Sequence, residues 1–117
     1  MKQKDIVWVR LPFSDLERQK ARPALVVSND AYNRAQEDVI VCALTSNLQT
    51  EPYKVAVREK DLESGKLPLS SMVRADKILQ VEKVLIDRAL GRLTDAAYDQ
   101  VSERIQELVS RRARAGR

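Results

Sequence analysis

Histidine is absent from the 117 residues, and cysteine occurs once, as Cys42. A lone thiol cannot close an intrachain disulfide, and a tetrahedral zinc site cannot be assembled from it. Chemistry that needs a histidine base, a Cys–His pair or zinc is therefore excluded, and neither a metal nor another cofactor is expected. Cys42 lies within Val39-Ile40-Val41-Cys42-Ala43-Leu44, where a small buried hydrophobe is a better reading than a nucleophile. Long apolar runs are missing as well. None approaches the roughly 20 residues of a membrane-spanning helix, and Met1-Lys2-Gln3-Lys4-Asp5 flows directly into a strand pattern without a signal-peptide core. The expectation is a cytoplasmic protein with no membrane contact. There is no internal repeat, linker or low-complexity tract, and the length suits one domain with one core.

A single-signed charge is also lacking once the C-terminal end is set aside. The net charge is +4 and the pI about 9.4, but Arg111-Arg112-Ala113-Arg114-Ala115-Gly116-Arg117 holds four arginines. Without them the 21 basic residues fall to 17, against 17 acidic ones. Overall basicity is thus a weak argument for a nucleic-acid groove, because the excess sits in an end that reads as a frayed tail, residues 111–117, beyond a domain of residues 1–110.

What is present is a succession of short apolar strands. Asp5 to Arg10 is β-branched and aromatic and runs into Leu11-Pro12-Phe13, and Ser14 to Ala21 is a polar, exposed loop. Arg22-Pro23-Ala24-Leu25-Val26-Val27-Ser28 is nearly all apolar after its first residue and reads as a strand buried on both faces, with Pro23 tolerated at its start. Asn29-Asp30 caps a short helical turn through Tyr32 and Arg34. Asp38 to Leu44 is a second continuous strand, ending at the polar cluster Thr45 to Thr50. Tyr53 to Arg58 alternates, with Tyr53, Val55 and Val57 on one face. Glu59 to Pro68 reads as a loop with a helical turn at Lys60 to Glu63. Ser71 to Val81 is a long strand, Glu82 to Ile86 a turn and Arg88 to Leu93 a short last strand. Thr94 N-caps a terminal helix whose stripe runs Tyr98, Val101, Ile105 and Leu108. Strands followed by one amphipathic helix predict a mainly β (α+β) fold, a strongly bent sheet or small barrel closed on one side by the helix.

Polar groups stand at two strand ends. Arg22 opens one buried strand and Thr45 closes the next. If the two are antiparallel neighbours, these ends share one edge, where a guanidinium fork, a hydroxyl and the following amides suit a phosphate. Alternatively, Arg22 pairs with a carboxylate such as Glu17 and Thr45 only caps a turn. Further along, the two-residue spacing in Val73-Arg74-Ala75-Asp76 puts Arg74 and Asp76 on one face. That pair is either a surface ion pair of little worth or a cation and carboxylate placed for RNA cleavage.

These pieces occur in an order that resembles one family. Asp5-Ile6-Val7-Trp8, Pro12-Phe13-Ser14-Asp15-Leu16, Arg22 to Ser28, Leu44-Thr45-Ser46-Asn47, Ser70 to Lys77 and Gly91-Arg92-Leu93-Thr94 together look like the MazF/PemK toxin endoribonucleases, over residues 4 to 108. The resemblance implies an SH3-like barrel of six or seven strands with helices, of the MazF/PemK/CcdB type. It also implies a homodimer that cleaves single-stranded RNA without a metal and is held inactive by a cognate antitoxin with an acidic, disordered tail. The family's catalytic Arg and Thr fall on Arg22 and Thr45, and in one branch an Arg and an Asp fall on Arg74 and Asp76. The loops from Ser14 to Ala21 and from Ser46 to Pro52 would line the RNA path, with Glu17, Gln19, Ser46, Asn47 and Gln49 as contacts. In this scheme Asp76 is nominated as the base and Arg74 assists the leaving oxygen.

Two departures stand out. Lys4 occupies a position where many members carry glycine, a change expected to alter only a turn, and the first loop lacks the histidine that some members carry. Two other readings keep a barrel and drop the cleavage: a toxin of the gyrase-poisoning type, and a plain nucleic-acid-binding barrel.

Overall fold

The computed structural model describes residues 1–10 and 21–112. The strands are β1 (Asp5–Arg10), β2 (Ala21–Val26), β3 (Asp38–Thr45), β4 (Lys54–Val57), β5 (Leu62–Gly65), β6 (Ser71–Glu82) and β7 (Ile86–Leu93), with helices α1 (Asp30–Ala35) and α2 (Asp95–Val109). They form one seven-stranded sheet in the order β4-β6-β3-β2-β1-β7-β5, and every pairing is antiparallel.

The continuous apolar runs are explained by cores on both faces of this sheet. Ile6, Leu25, Cys42, Val73 and Ala75 form one face together with Val55, Val57 and Leu93, and α2 lays Ala97 and Val101 on it. The alternate residues Val7, Val9, Ala24, Val26, Val39, Val41 and Val81 build the second core, with Leu79, Leu85 and Ile86 at its margin. Strands that bury both faces leave no place for polar alternation, so β1, β2 and β3 read as unbroken hydrophobic stretches. A flat sheet of this size could not enclose both sets. The sheet therefore curls into a half-barrel, and its two edge strands are linked by a 3-10 turn, Glu59–Asp61. There the Asp61 carboxylate accepts from the Arg58 amide at 2.9 Å and from Arg58 Nε at 3.2 Å.

The helices follow their sequence signals. Asn29 accepts from the Tyr32 amide at the head of α1, and Thr94 accepts from the Ala97 amide at the head of α2. In both, the side chain satisfies an amide that has no partner in the first turn. Tyr98 and Ile105 pack against the core as their spacing predicts, whereas Leu108 lies beyond it and is exposed, because the sheet ends before the last turn of the helix does. Arg111 and Arg112 are exposed, and residues 113–117 of the expected tail lie outside the described residues.

One strand escaped the sequence reading. The segment taken as loop and helical turn contains β5, which pairs with β7 through Leu62–Leu93, Ser64–Arg92 and Gly65–Gly91. Its residues are half-buried or exposed, so it carries no hydrophobic period. What holds it is close backbone approach: a Cβ on Gly65, where φ is +79°, would lie 2.1 Å from the Leu90 carbonyl oxygen, and one on Gly91 would lie 2.6 Å from that of Ser64. Among the described residues Lys4 is the one non-glycine with positive φ, at 81°. Its amide donates to Val26 O and its carbonyl accepts from the Leu93 amide, both at 3.0 Å. Its ammonium reaches Asp95 of α2 and stands 3.7 Å from Glu63 of β5. The lysine thus does more than alter a turn, since it ties three elements together.

Candidate active site

The antiparallel register of β2 and β3 runs Val26–Val41, Leu25–Cys42 and Ala24–Ala43. Arg22 and Thr45 lie two residues beyond the last of these pairs, at the same end of the two strands, and alternation puts them on the face that carries Ala24 and Ala43. Val9 is the partner of Arg22 on β1 and Met72 the partner of Thr45 on β6. Arg22 and Thr45 both line a cavity of about 430 Å³, together with Trp8, Pro23, Ser46, Leu69, Arg74 and Lys77.

A β-bulge brings the last two cations to this cavity. Cys42 pairs with Ile78 and Leu44 with Val73, so Arg74, Ala75, Asp76 and Lys77 stand opposite Ala43 alone. Extra residues on one strand bend it and re-aim its side chains. Arg22, Arg74 and Lys77 consequently converge on a cavity whose described lining holds no carboxylate. Lys77 was not foreseen, because a bulge has no signature in a strand's hydrophobic pattern.

Arg74 is fixed by a two-point bond to Asp76, Nε to Oδ1 at 3.2 Å and Nη2 to Oδ2 at 3.1 Å. The hydrogen bond and charge of Asp76 raise the Arg74 pKa above its ordinary value, with a smaller push from Glu51 against a small desolvation effect. The guanidinium is therefore a permanent cation. Asp76 itself is exposed and does not line the cavity. Arg22 is exposed and has no side-chain partner among the described residues. Glu17 lies outside those residues, as does Gln19.

Thr45 Oγ1 accepts from the Asn47 amide at 3.1 Å, and Asn47 Oδ1 accepts from the Gln49 amide at 3.0 Å. These consecutive side-chain turns use the threonine oxygen as an acceptor and leave its hydroxyl hydrogen to be donated. The loop is clipped from below by Lys54, whose ammonium donates to the carbonyls of Asn47 at 3.2 Å and Gln49 at 3.0 Å and pairs with Glu51 at 3.2 Å. Ser46 lines the cavity, whereas Asn47 and Gln49 stay on the exposed loop outside it. Cys42 is buried, and burial, aided by the Asp76 charge, pushes its thiol up to about 12. It is inert at neutral pH, as its place in the strand predicted. Among the described residues, no three His, Cys, Asp or Glu are arranged to hold a metal ion.

A family model described as PemK-like, MazF-like toxin of type II toxin-antitoxin system matches residues 2–109. The chain belongs to this family. Similarity to individual MazF-like proteins agrees. The endoribonuclease MazF4 of Mycobacterium tuberculosis is 35% identical over 82 residues, 70% of this chain and 72% of that protein. The endoribonuclease EndoA of Bacillus subtilis is 28% identical over 107 residues, 91% of each. Among solved structures, an endoribonuclease in complex with its cognate antitoxin, from mycobacterial species, superposes with a TM-score of 0.74 at 28% identity, covering 91% of both chains. MazF of Deinococcus radiodurans shares the fold, with a TM-score of 0.74 at 23% identity, covering 93% of this chain and 96% of that one.

Proposed function

We propose that this chain, an endoribonuclease toxin by family, cleaves single-stranded RNA at the cavity between Arg22 and Thr45 by attack of a ribose 2′-hydroxyl on the adjacent phosphorus. The 2′-oxygen bonds to phosphorus, the bond to the 5′-oxygen breaks, and a net proton passes from the first oxygen to the second. The products are a 2′,3′-cyclic phosphate and a free 5′-hydroxyl. The observation that carries the reading is the convergence of three cations and a hydroxyl, without a carboxylate in the described lining, at one edge of the sheet.

Negative charge grows on the phosphoryl oxygens as the 2′-oxygen attacks, and fixed donors aimed at that charge are the strongest device available without a metal. Arg22 faces it with a fork of donors, and the Thr45 hydroxyl, already oriented by the Asn47 amide, donates to a second oxygen. Arg74 and Lys77 neutralise the flanking backbone. Arginine stays protonated at neutral pH, so both arginines act through charge, and Asp76 acts by holding Arg74. Ser46, Asn47 and Gln49 border the RNA path, and Glu17 and Gln19, which precede β2 in the sequence, are the further contacts that the family resemblance implies.

The partner of the toxin is an antitoxin, whose acidic tail covers the same cationic cavity, and the working unit is a homodimer. Among the described residues no helix is long and apolar enough to cross a membrane, which suits work on cytoplasmic messenger RNA. The test is incubation of purified protein with single-stranded RNA, with and without a chelator. Chelator-insensitive fragments ending in cyclic phosphate are expected, and intact RNA refutes the reading.

A further inference from the structure

Trp8 is the chain's one tryptophan, and the phosphate chemistry described above gives it no task. Its neighbours Val7 and Val9 are fully buried, yet Trp8 remains half-buried on the wall of the 430 Å³ cavity. It stands beside Pro23 on β2 and Arg88 on β7 in the strand register. Pro23 shares the cavity wall with it and directly follows Arg22. The cavity lining thus combines three cations, Arg22, Arg74 and Lys77, with the apolar Trp8, Pro23 and Leu69. Cavities of about 300–1,000 Å³ hold small ligands, so this one has room for a nucleotide, not only for a phosphate.

We propose that Trp8 is a substrate-positioning residue that stacks on a base of the RNA strand while Arg22 and Thr45 hold the phosphate. This deepens the endoribonuclease reading and rests on it. An unpaired base exposes two flat apolar faces, and proteins that recognise single strands place them on aromatic rings. A base held on the tryptophan fixes the ribose attached to it, and so aligns a 2′-oxygen with the neighbouring phosphorus.

With a single tryptophan, the fluorescence of the native protein reports directly on the stacking. The probes are four twelve-residue 2′-O-methyl RNAs of A, C, G or U, which lack the attacking hydroxyl and are not cut, and a twelve-residue abasic ribose-phosphate strand. At least one base-bearing strand is expected to bind and quench Trp8, and the abasic strand is expected not to quench it. Trp8→Leu should weaken binding of that base-bearing strand by about tenfold to a hundredfold and leave the affinity for the abasic strand unchanged. Trp8→Phe, which keeps a ring and fills most of the volume, should restore most of the affinity.

The proposal is overturned if no base-bearing strand binds, if one binds without altering the fluorescence, or if Trp8→Leu weakens both kinds of strand equally. Cleavage of ordinary RNA is scored separately. Cutting by the native protein without a fluorescence response keeps the endoribonuclease and removes the stacking. Stacking without cutting does the reverse.

Discussion

Replacing Asp76 by Asn separates two roles that a carboxylate can have at this site. If Asp76 takes the proton of the 2′-hydroxyl, its loss removes general-base catalysis, a factor of about 10²–10⁴. The structure instead puts both of its oxygens on Arg74, at 3.2 and 3.1 Å, outside the cavity. The two side chains are 38% and 35% exposed, so water screens the pair and its worth is about 0.2–1 kcal/mol. Lost entirely in the transition state, that is at most about a fivefold fall in kcat/KM. The assay is cleavage of a short single-stranded RNA carrying a fluorophore and a quencher, with Asp76→Asn, Arg74→Ala and the double variant. Asp76→Asn should cost no more than about fivefold alone and almost nothing on top of Arg74→Ala, because a positioning residue has no task once its partner is gone. A loss of a hundredfold or more, or the same factor in both backgrounds, refutes the positioning role and returns Asp76 to the role of base.

Arg22→Ala should reduce cleavage by about 10²–10³-fold and leave the melting temperature nearly unchanged, since Arg22 is exposed and has no partner among the described residues; a circular-dichroism melt beside the cleavage assay checks both. Gly65→Ala should destabilise the protein by about 2–3 kcal/mol, because the methyl meets backbone at 2.1 Å in a left-handed residue, and hydrogen exchange should show the β5–β7 pairing opening first. Lys4→Ala should melt about 4 °C below Lys4→Gly, since both lose the ion pairs while glycine alone relieves the positive φ. The Lys4 hydrogen bond and charge lower the Asp95 pKa. That stabilisation is present above the unfolded-state carboxylate value and is lost as pH falls through the lower folded value, so acid titration of native protein against Lys4→Gly should show the difference shrinking there. Leu93→Ala, at a fully buried position, should cost about 2–5 kcal/mol in a denaturant melt.

The elements that bury a patterned face were legible from the sequence: β1, β2, β3, β4 and α2 announce themselves through apolar runs, alternation or a helical stripe. The β5 strand was not, because it is held by glycine-to-glycine backbone approach and its side chains carry no period. At the candidate site, Arg22 and Thr45 were legible as polar residues at the ends of buried runs, and the antiparallel pairing of β2 with β3 brings those ends to one cavity. Arg74 was legible as a cation on a strand, but its convergence with Lys77 depends on a bulge set by pairing with β3, a tertiary event. Asp76 shows a different limit. Sequence spacing puts it near Arg74 without telling a base from a tether; the structure adds the two-point bond from Arg74, and the double-variant cleavage assay separates the two roles.

The burial of Cys42 makes the protein a convenient object for thiol chemistry. Its sulfur is fully enclosed, and its raised pKa leaves almost no thiolate at neutral pH. A cysteine introduced at exposed Ser46 would therefore be labelled alone while the sheet is closed. Alkylation of Cys42 itself would require β3 to come away from its neighbours on either side, so its slow rate in an unmodified protein would measure how often the central sheet opens.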